Sequence, residues 1–411
     1  GEVRGVVSTN ALELGIDIGQ LEACVMVGYP GSIASTWQQA GRAGRRAGLS
    51  LAVLVASSNP LDQYIVNHPE YFFSQNPEHG LINPDNLYVL MAHLKCAAFE
   101  LPFDSGEGFG VPTTDEMLSF LQEEGLLHRQ GQRFYWIADS FPAEGISLRS
   151  AAAENFVVVE HTGSPRVIGE VDRFSAPMLL HEEAIYMHGG EQYQVERLDF
   201  ENKKAYVRRV EVDYYTDANL AVEIRVLEEW PRDGQLTMRG LGQVLVKAVA
   251  TMFKKIKLHT HENVGSGPIH LPEQELTTTA YWLNLPPAAT GDMSPPQVEG
   301  ALAGLAHLLS HIGPLFLLCD PRDLGTATQV RSPHTGLPTL FLYDAYPGGV
   351  GLAEKLYDLH PQLLEAALAS LHACPCLEGC PSCVGPTAEV GPGAKANISQ
   401  ILARLLKAPP E

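Results

Sequence analysis

Four cysteines crowd into one short stretch near the end of the chain, CPCLEGCPSC, as Cys374, Cys376, Cys380 and Cys383. Thiolates at this C-x-C-x3-C-x2-C spacing can surround one tetrahedral ion, and the intervening Gly and Pro supply the tight turns such a loop needs. Zinc in a structural role is the expected metal. An iron–sulfur cluster, also built on four thiolates, is the chemical competitor. His372 is a conceivable substitute ligand that a fourth cysteine makes unnecessary. Cys24, Cys96 and Cys319 stand alone in apolar surroundings and are expected as small buried hydrophobes. Crowded cysteines in a chain without a secretion signal point to metal rather than disulfides, and to a cytoplasmic location.

Two further segments carry phosphate chemistry. QQAGRAGRR (38–46) sets Arg42 and Arg45 three apart at a predicted helix start. Paired guanidinium groups suit the charge that develops on a transferring phosphoryl group. STNALELGIDIG (8–19) follows a predicted strand. There Ser8, Thr9 and Asn10 can cap a helix or reach a phosphate, while Gly15 and Asp17 would line a cleft. Each segment alone also fits an ordinary surface feature or cap. LFLYDAYPGGVGLAEKLY (340–357) offers a Gly-rich turn between strand and helix. Its backbone N–H groups suit an anion, but close packing of strand on helix is the favoured reading. His259 and His261 lack a second pair nearby and are expected in an ordinary strand or loop.

Taken together, the two phosphate segments resemble motifs V and VI of superfamily 2 helicases, in the second RecA-like lobe. The Q-x-x-G-R-x-G-R pattern is matched by Gln38, Gly41, Arg42, Gly44 and Arg45. The resemblance implies that Arg42 and Arg45 are arginine fingers on the ATP γ-phosphate, and that Gly41 belongs to the nucleotide site. It implies that Gln38 supports the interface between lobes, Thr9 touches the DNA backbone, and Gly15 and Asp17 couple the two sites. The cysteine cluster, YPGGVGLAEKLY, LPEQELTTTAYW and LLCDPRDLG together resemble the carboxy-terminal domain of the mitomycin-repair (MrfA-type) helicases. That family implies a 3′–5′ DNA helicase acting in repair, using ATP and Mg2+, with single-stranded or partly duplex DNA as partner. No G-x-x-x-x-G-K-[ST] loop or DEAH-type box occurs in the sequence. The chain alone is therefore expected to be inactive, and an amino-terminal RecA-like lobe is expected to be missing. The contrasting reading is a non-catalytic nucleic-acid-binding or protein-interaction module whose helicase motifs are vestigial.

The elements that must position these residues divide the 411 residues into four expected units. Residues 1–57 alternate apolar strands (VRGVVST, ACVMVGYP, LSLAVLVA) with a helix, as in part of a parallel α/β lobe. Residues 58–148 read as an irregular connection followed by a winged-helix-like module, with a helix capped at Thr113 or Thr114 and a hairpin turning at Gln130 and Gly131. Residues 149–234 read as a small β-rich, barrel-like domain. Residues 235–411 read as an α+β domain carrying the cysteines, with a helix near 297–312 and strands near 315–319 and 339–343. The fold class expected is thus α/β plus α+β. Apolar runs end before membrane-spanning length, so no membrane partner is expected, and the chain is expected to be a monomer. The net charge of −20 opposes nucleic acid at long range but leaves room for local basic tracks. Arg42, Arg45 and Arg46 form one such track; Lys203, Lys204, Arg208 and Arg209 a second; Lys254, Lys255 and Lys257 a third. A solvated face is the competing reading of the last two.

Overall fold

A parallel pair of apolar strands, β1 (Ala23–Val27) and β2 (Leu51–Val55), opens the fold, in register from Ala23↔Leu51 to Val27↔Val55. The structure is a computed structural model and describes residues 4–13, 21–44, 49–77, 83–146, 155–231, 238–260 and 262–407. The strands are joined through α1 (Ile33–Ala40), where Ser32 Oγ accepts the Ser35 N–H at 3.0 Å as an N-cap. The expected strand around Val6 and Val7 makes no ladder: no strand among the described residues lies against it, and both valines are exposed. The stretch expected as irregular contains two helices, α2 (Pro60–Asn67) and α3 (Pro69–Ser74). Pro60 and Pro69 suggest breakers, yet each stands in a first helical turn, where a missing N–H costs nothing.

A winged-helix-like unit follows, with α4 (Leu87–Glu100), β3 (Phe103–Asp104), α5 (Thr114–Glu123), β4 (Leu127–Gln130) and β5 (Arg133–Trp136). Leu94, Leu118, Leu121, Leu127 and Phe134 form its core. The hairpin turns at Gly131 and Gln132, one residue later than expected, because Gly131 takes the left-handed φ of 63°. Buried Asn86 roots the unit in the rest of the molecule. Its Oδ1 caps α4 by accepting the Tyr88 and Val89 N–H groups, and its Nδ2 donates to the Pro347 and Gly349 carbonyls at 2.8 and 3.0 Å.

The next sheet comprises β6 (Asn155–Glu160), β7 (Arg166–Asp172), β8 (Ile185–His188), β9 (Glu191–Asp199) and β10 (Lys204–Val210), with α6 (Ala176–Leu179) between β7 and β8. Its order is β7-β6-β10-β9-β8, antiparallel apart from the β6–β10 pair. The expected boundary at 234 does not separate two units. β11 (Tyr214–Glu229) pairs with β12 (Arg239–Lys257) from Tyr214↔Lys257 to Glu229↔Gly242, with register shifts after Asn219 and Val226, so one ladder joins residues on both sides of it. The pair belongs to the final sheet, which adds β13 (Asn263–Pro268) and β14 (Gln274–Asn284).

After α7 (Pro287–Thr290), a Ser294–Gln297 capping box starts the apolar helix α8 (Pro295–Leu317). The strand expected at 315–319 is instead the end of α8 and its left-handed cap, Leu318. A short apolar run reads equally as a buried strand or a buried helix segment, and here the helix wins because the run continues a face already packed on the sheet. By length and composition α8 is long and apolar enough to cross a membrane, yet Leu305, Leu308, Leu309 and Ile312 place it in the core. β15 (Leu324–Gln329) and β16 (Thr339–Asp344) complete the sheet in the order β11-β12-β14-β16-β15. Then come α9 (Leu352–Asp358), α10 (His360–Ala373), α11 (Thr387–Val390) and α12 (Ala394–Lys407).

The Gly-rich turn before α9 does hold an anion, and the anion is internal. Asp344 is fully buried, and its carboxylate accepts the N–H groups of Val350, Gly351, Leu352 and Ala353 at 2.6–3.2 Å. Burial pushes this carboxyl up against the pull of those four amides. Packing is tight as well: a Cβ at Gly349 would lie 2.3 Å from Thr279 Oγ1. Asp344→Ala leaves those four donors buried and unpaired, so a loss of about 3–5 kcal/mol of stability is expected in denaturant titration. A loss below 1 kcal/mol would contradict this account of the turn.

Candidate functional site

The four cysteines converge although their loop has little regular structure. α10 ends at Ala373 and delivers Cys374 as its C-cap, while a turn over 380–383 closes when the Cys383 N–H donates to the Cys380 carbonyl at 3.0 Å. Gly379 between them has φ 143°, and a Cβ there would meet the Gly385 carbonyl oxygen and Val384 Cγ2 at 3.0 Å. Only glycine fits that crossing. The Sγ–Sγ distances are 3.6 Å (Cys374–Cys376), 3.5 Å (Cys374–Cys380), 3.5 Å (Cys376–Cys383) and 3.7 Å (Cys380–Cys383). All four sulfurs lie within 4.8 Å of one another. Disulfide sulfurs would sit about 2 Å apart, whereas the edge of a tetrahedron with Zn–S bonds of about 2.3 Å is about 3.8 Å. The donor set therefore fits a structural zinc ion. Among the described residues no other group of three or more His, Cys, Asp or Glu side chains is spaced to hold an ion.

The surroundings act on the thiols in both directions. Lys395 on α12 donates to the Cys374 and Cys376 carbonyls at 2.7 and 2.6 Å, bringing a positive charge to the cage. Burial opposes ionisation of Cys376, but hydrogen bonds from Cys383, Cys374 and Cys380, with Lys395, outweigh it and bring the thiol below its usual range. Burial pushes Cys374 and Cys383 up. His372 is not a ligand; its Nε2 meets Ser399 Oγ at 3.2 Å. His259 sits in the turn after β12, and His261 lies outside the described residues. Cys24, Cys96 and Cys319 are half-buried rather than fully enclosed.

The phosphate-type residues follow a different geometry from the one their spacing suggests. α1 ends at Ala40, and Gly41 is its C-cap, donating to the Trp37 carbonyl at 2.8 Å. Arg42 therefore lies in the turn after the helix rather than on a helical face. Arg45, Gly15 and Asp17 lie outside the described residues. Gln38 is exposed on α1; exposed Thr9 accepts the Ala11 N–H at 3.4 Å and caps a 3-10 turn, Asn10–Leu12.

What joins the two segments is Glu13, which the sequence reading passed over. Its carboxylate accepts from Ser35 Oγ at 2.6 Å and Gln39 Nε2 at 3.1 Å, and Arg42 donates to its carbonyl. A carboxylate inside STNALELG was the available signal. The other two basic tracks are neutralised in part. Arg208 pairs with Glu196 at 2.7 Å, Arg209 with Glu191, and Lys255 with Glu183 at 2.9 Å.

Three family models match along the chain: "Helicase conserved C-terminal domain" over 1–47, "ATP-dependent helicase HRQ1, winged helix domain" over 82–151, and "MrfA Zn-binding domain" over 305–384. The chain is 56% identical over 382 residues to "Uncharacterized ATP-dependent helicase YprA" of Bacillus subtilis, covering 92% of this chain and 51% of that protein. It is 31% identical over 403 residues to "ATP-dependent helicase HRQ1" of Saccharomyces cerevisiae, covering 92% of this chain and 37% of that one. The chain thus spans about half the length, or less, of these curated relatives. A solved structure, "Crystal Structure of DUF1998 helicase MrfA bound to DNA", matches with TM-score 0.64 and 55% identity over 98% of this chain and 54% of its own. A second, described as bound to DNA and AMPPNP, matches with TM-score 0.61 and 54% identity over 97% and 52%. With a helicase carboxy-terminal segment, a winged helix and a four-cysteine zinc site in this order, the chain belongs to the MrfA (DUF1998) family of superfamily 2 helicases, to whose carboxy-terminal region it corresponds.

Proposed function

We propose that this chain is the carboxy-terminal part of an ATP-dependent 3′–5′ DNA helicase acting in repair, supplying one wall of an ATP site, contacts to DNA and a structural zinc. The observation that carries the reading is the joining of the two phosphate-type segments through Glu13, with Arg42 on its carbonyl and Ser35 and Gln39 on its carboxylate. That arrangement supports reading the two segments as a helicase-like pair of motifs. Arg42 and Arg45 act as the arginine fingers, Gly41 belongs to the nucleotide site, Gln38 supports the interface between lobes, Thr9 meets the DNA backbone, and Gly15 and Asp17 link the two. An amino-terminal RecA-like lobe supplies the phosphate cradle and the Mg2+ site, whose motifs this sequence lacks. The protein works as a cytoplasmic monomer on single-stranded or partly duplex DNA. The AMPPNP and DNA named for the similar solved structures favour the same pair of ligands here.

Binding of a single-stranded oligonucleotide across a salt series tests the DNA half. Each phosphate neutralised should add about −0.7 to the slope of log K against log salt. A slope of several such increments is expected despite the net charge of −20. Absence of binding, or a flat salt dependence, would sink this half of the reading.

A further inference from the structure

We propose that Asp62 is a positioning residue: it fastens the strand ends that carry the Arg42 segment to the zinc-bearing domain, making one mechanical unit of the two. Asp62 lies on α2 and is 5% exposed. One carboxylate oxygen accepts the Tyr29 N–H at 3.0 Å, just beyond β1, and the other accepts the Ser57 N–H at 2.7 Å, just beyond β2. A single buried carboxylate thus holds the carboxy-terminal ends of both strands, and Tyr29 opens the short loop into α1 that leads to Arg42. Buried carboxylates require such donors, and the donors in turn lose their water on burial, so neither partner is replaceable by solvent.

The helix bearing Asp62 is gripped from the other side by the carboxy-terminal domain. Leu61 and Ile65 pack on Leu315 of α8, and Tyr71 of α3 donates its hydroxyl proton to the Leu315 carbonyl at 2.7 Å. The zinc loop reaches the same segment: Ser382 Oγ, one residue before Cys383, donates to the Ser58 carbonyl at 2.7 Å. The outer face of α1 is held too, since Trp37 stacks on Phe72 of α3 with centroids 5.1 Å apart. The path from zinc loop to Arg42 therefore runs through Ser58, Asp62 and the loop beyond β1, with Trp37 as a built-in reporter on α1.

The relevance of this path to ATP rests on the reading of Arg42 above, but the test needs neither ATP nor DNA and so succeeds or fails separately. The zinc-loaded full chain is labelled with 5-fluorotryptophan and compared with Asp62→Asn, in which one acceptor becomes an amide donor facing an N–H. Amide exchange at Tyr29 and Ser57 is expected to rise about ten- to hundredfold. The fluorine resonance of Trp37 should shift or broaden while those of Trp136, Trp230 and Trp282 hold. Ser382→Ala, which breaks the zinc-loop contact without removing a thiolate, should move the same Trp37 line less far. An unmoved Trp37 line in both variants overturns the proposal. So does a common shift of all four lines in Asp62→Asn with none in Ser382→Ala, because that pattern marks general loosening rather than a joint.

Discussion

Cys383→Ser is expected to abolish stoichiometric zinc binding and to loosen the segment from Cys374 to Val390 while the six-stranded sheet survives. Cys383 is fully buried, with its sulfur 3.5 Å from that of Cys376 and 3.7 Å from that of Cys380. A hydroxyl there is a poor, hard ligand that keeps its proton, and the remaining thiolates cannot close a tetrahedron. Small zinc modules gain about 10–16 kcal/mol from their metal, and loss of even an outer-shell partner costs 10–100-fold in affinity. Loss of a ligand should therefore weaken zinc by more than about 100-fold. The sheet should persist on its strand ladders, which lie outside the loop, while the unfolding temperature falls because Cys383, Val384 and Val390 share one core with Leu305, Leu308, Tyr281 and Leu342. Cys319→Ser is the control, since this cysteine lies outside the cluster and should leave one zinc per chain. Metal analysis with thermal unfolding checks both variants. Full zinc occupancy in Cys383→Ser would contradict the assignment of the site.

Arg42→Lys carries the second large effect. In a protein that joins this chain to a first RecA-like lobe, the substitution should lower kcat for ATP hydrolysis by roughly 10^3–10^5-fold, the range an arginine finger commands. Lysine keeps the charge but loses the planar fork that meets two phosphate oxygens together. The KM for ATP should change far less, because the guanidinium acts on charge that develops during transfer. Since Arg42 also donates to the Glu13 carbonyl, the variant must be shown to keep its fold by unchanged thermal unfolding. A kcat within tenfold of the parent would remove Arg42 from the chemistry.

The legible parts of this molecule were those in which chemistry dictates spacing. Four cysteines in a Gly- and Pro-rich loop have few alternatives to a metal, and the sulfurs do converge. β1, β2, β16 and α12 could be read because their apolar period is plain and their ends are marked. The departures share one cause, competition from tertiary contacts that no local pattern records. Pro60 and Pro69 suggest breakers yet begin helices, and the run after Pro314 continues α8 because the sheet covers it. The β11–β12 ladder crosses an expected boundary because the two pairing partners lie on opposite sides of it in sequence. Glu13, Asp62, Asn86 and Asp344 were invisible for a related reason. Each is an ordinary polar residue in sequence, and each acquires its role only when backbone groups far along the chain are brought to it.

On the function proposed above, this chain holds the arginine-finger wall of an ATP site and not the phosphate cradle. The most direct test of this is steady-state ATP hydrolysis by the purified, zinc-loaded chain in the presence of single-stranded DNA. No turnover above background is predicted, because no Walker-type loop occurs in the sequence to hold the β- and γ-phosphates. Reproducible DNA-stimulated hydrolysis by the chain alone would contradict it.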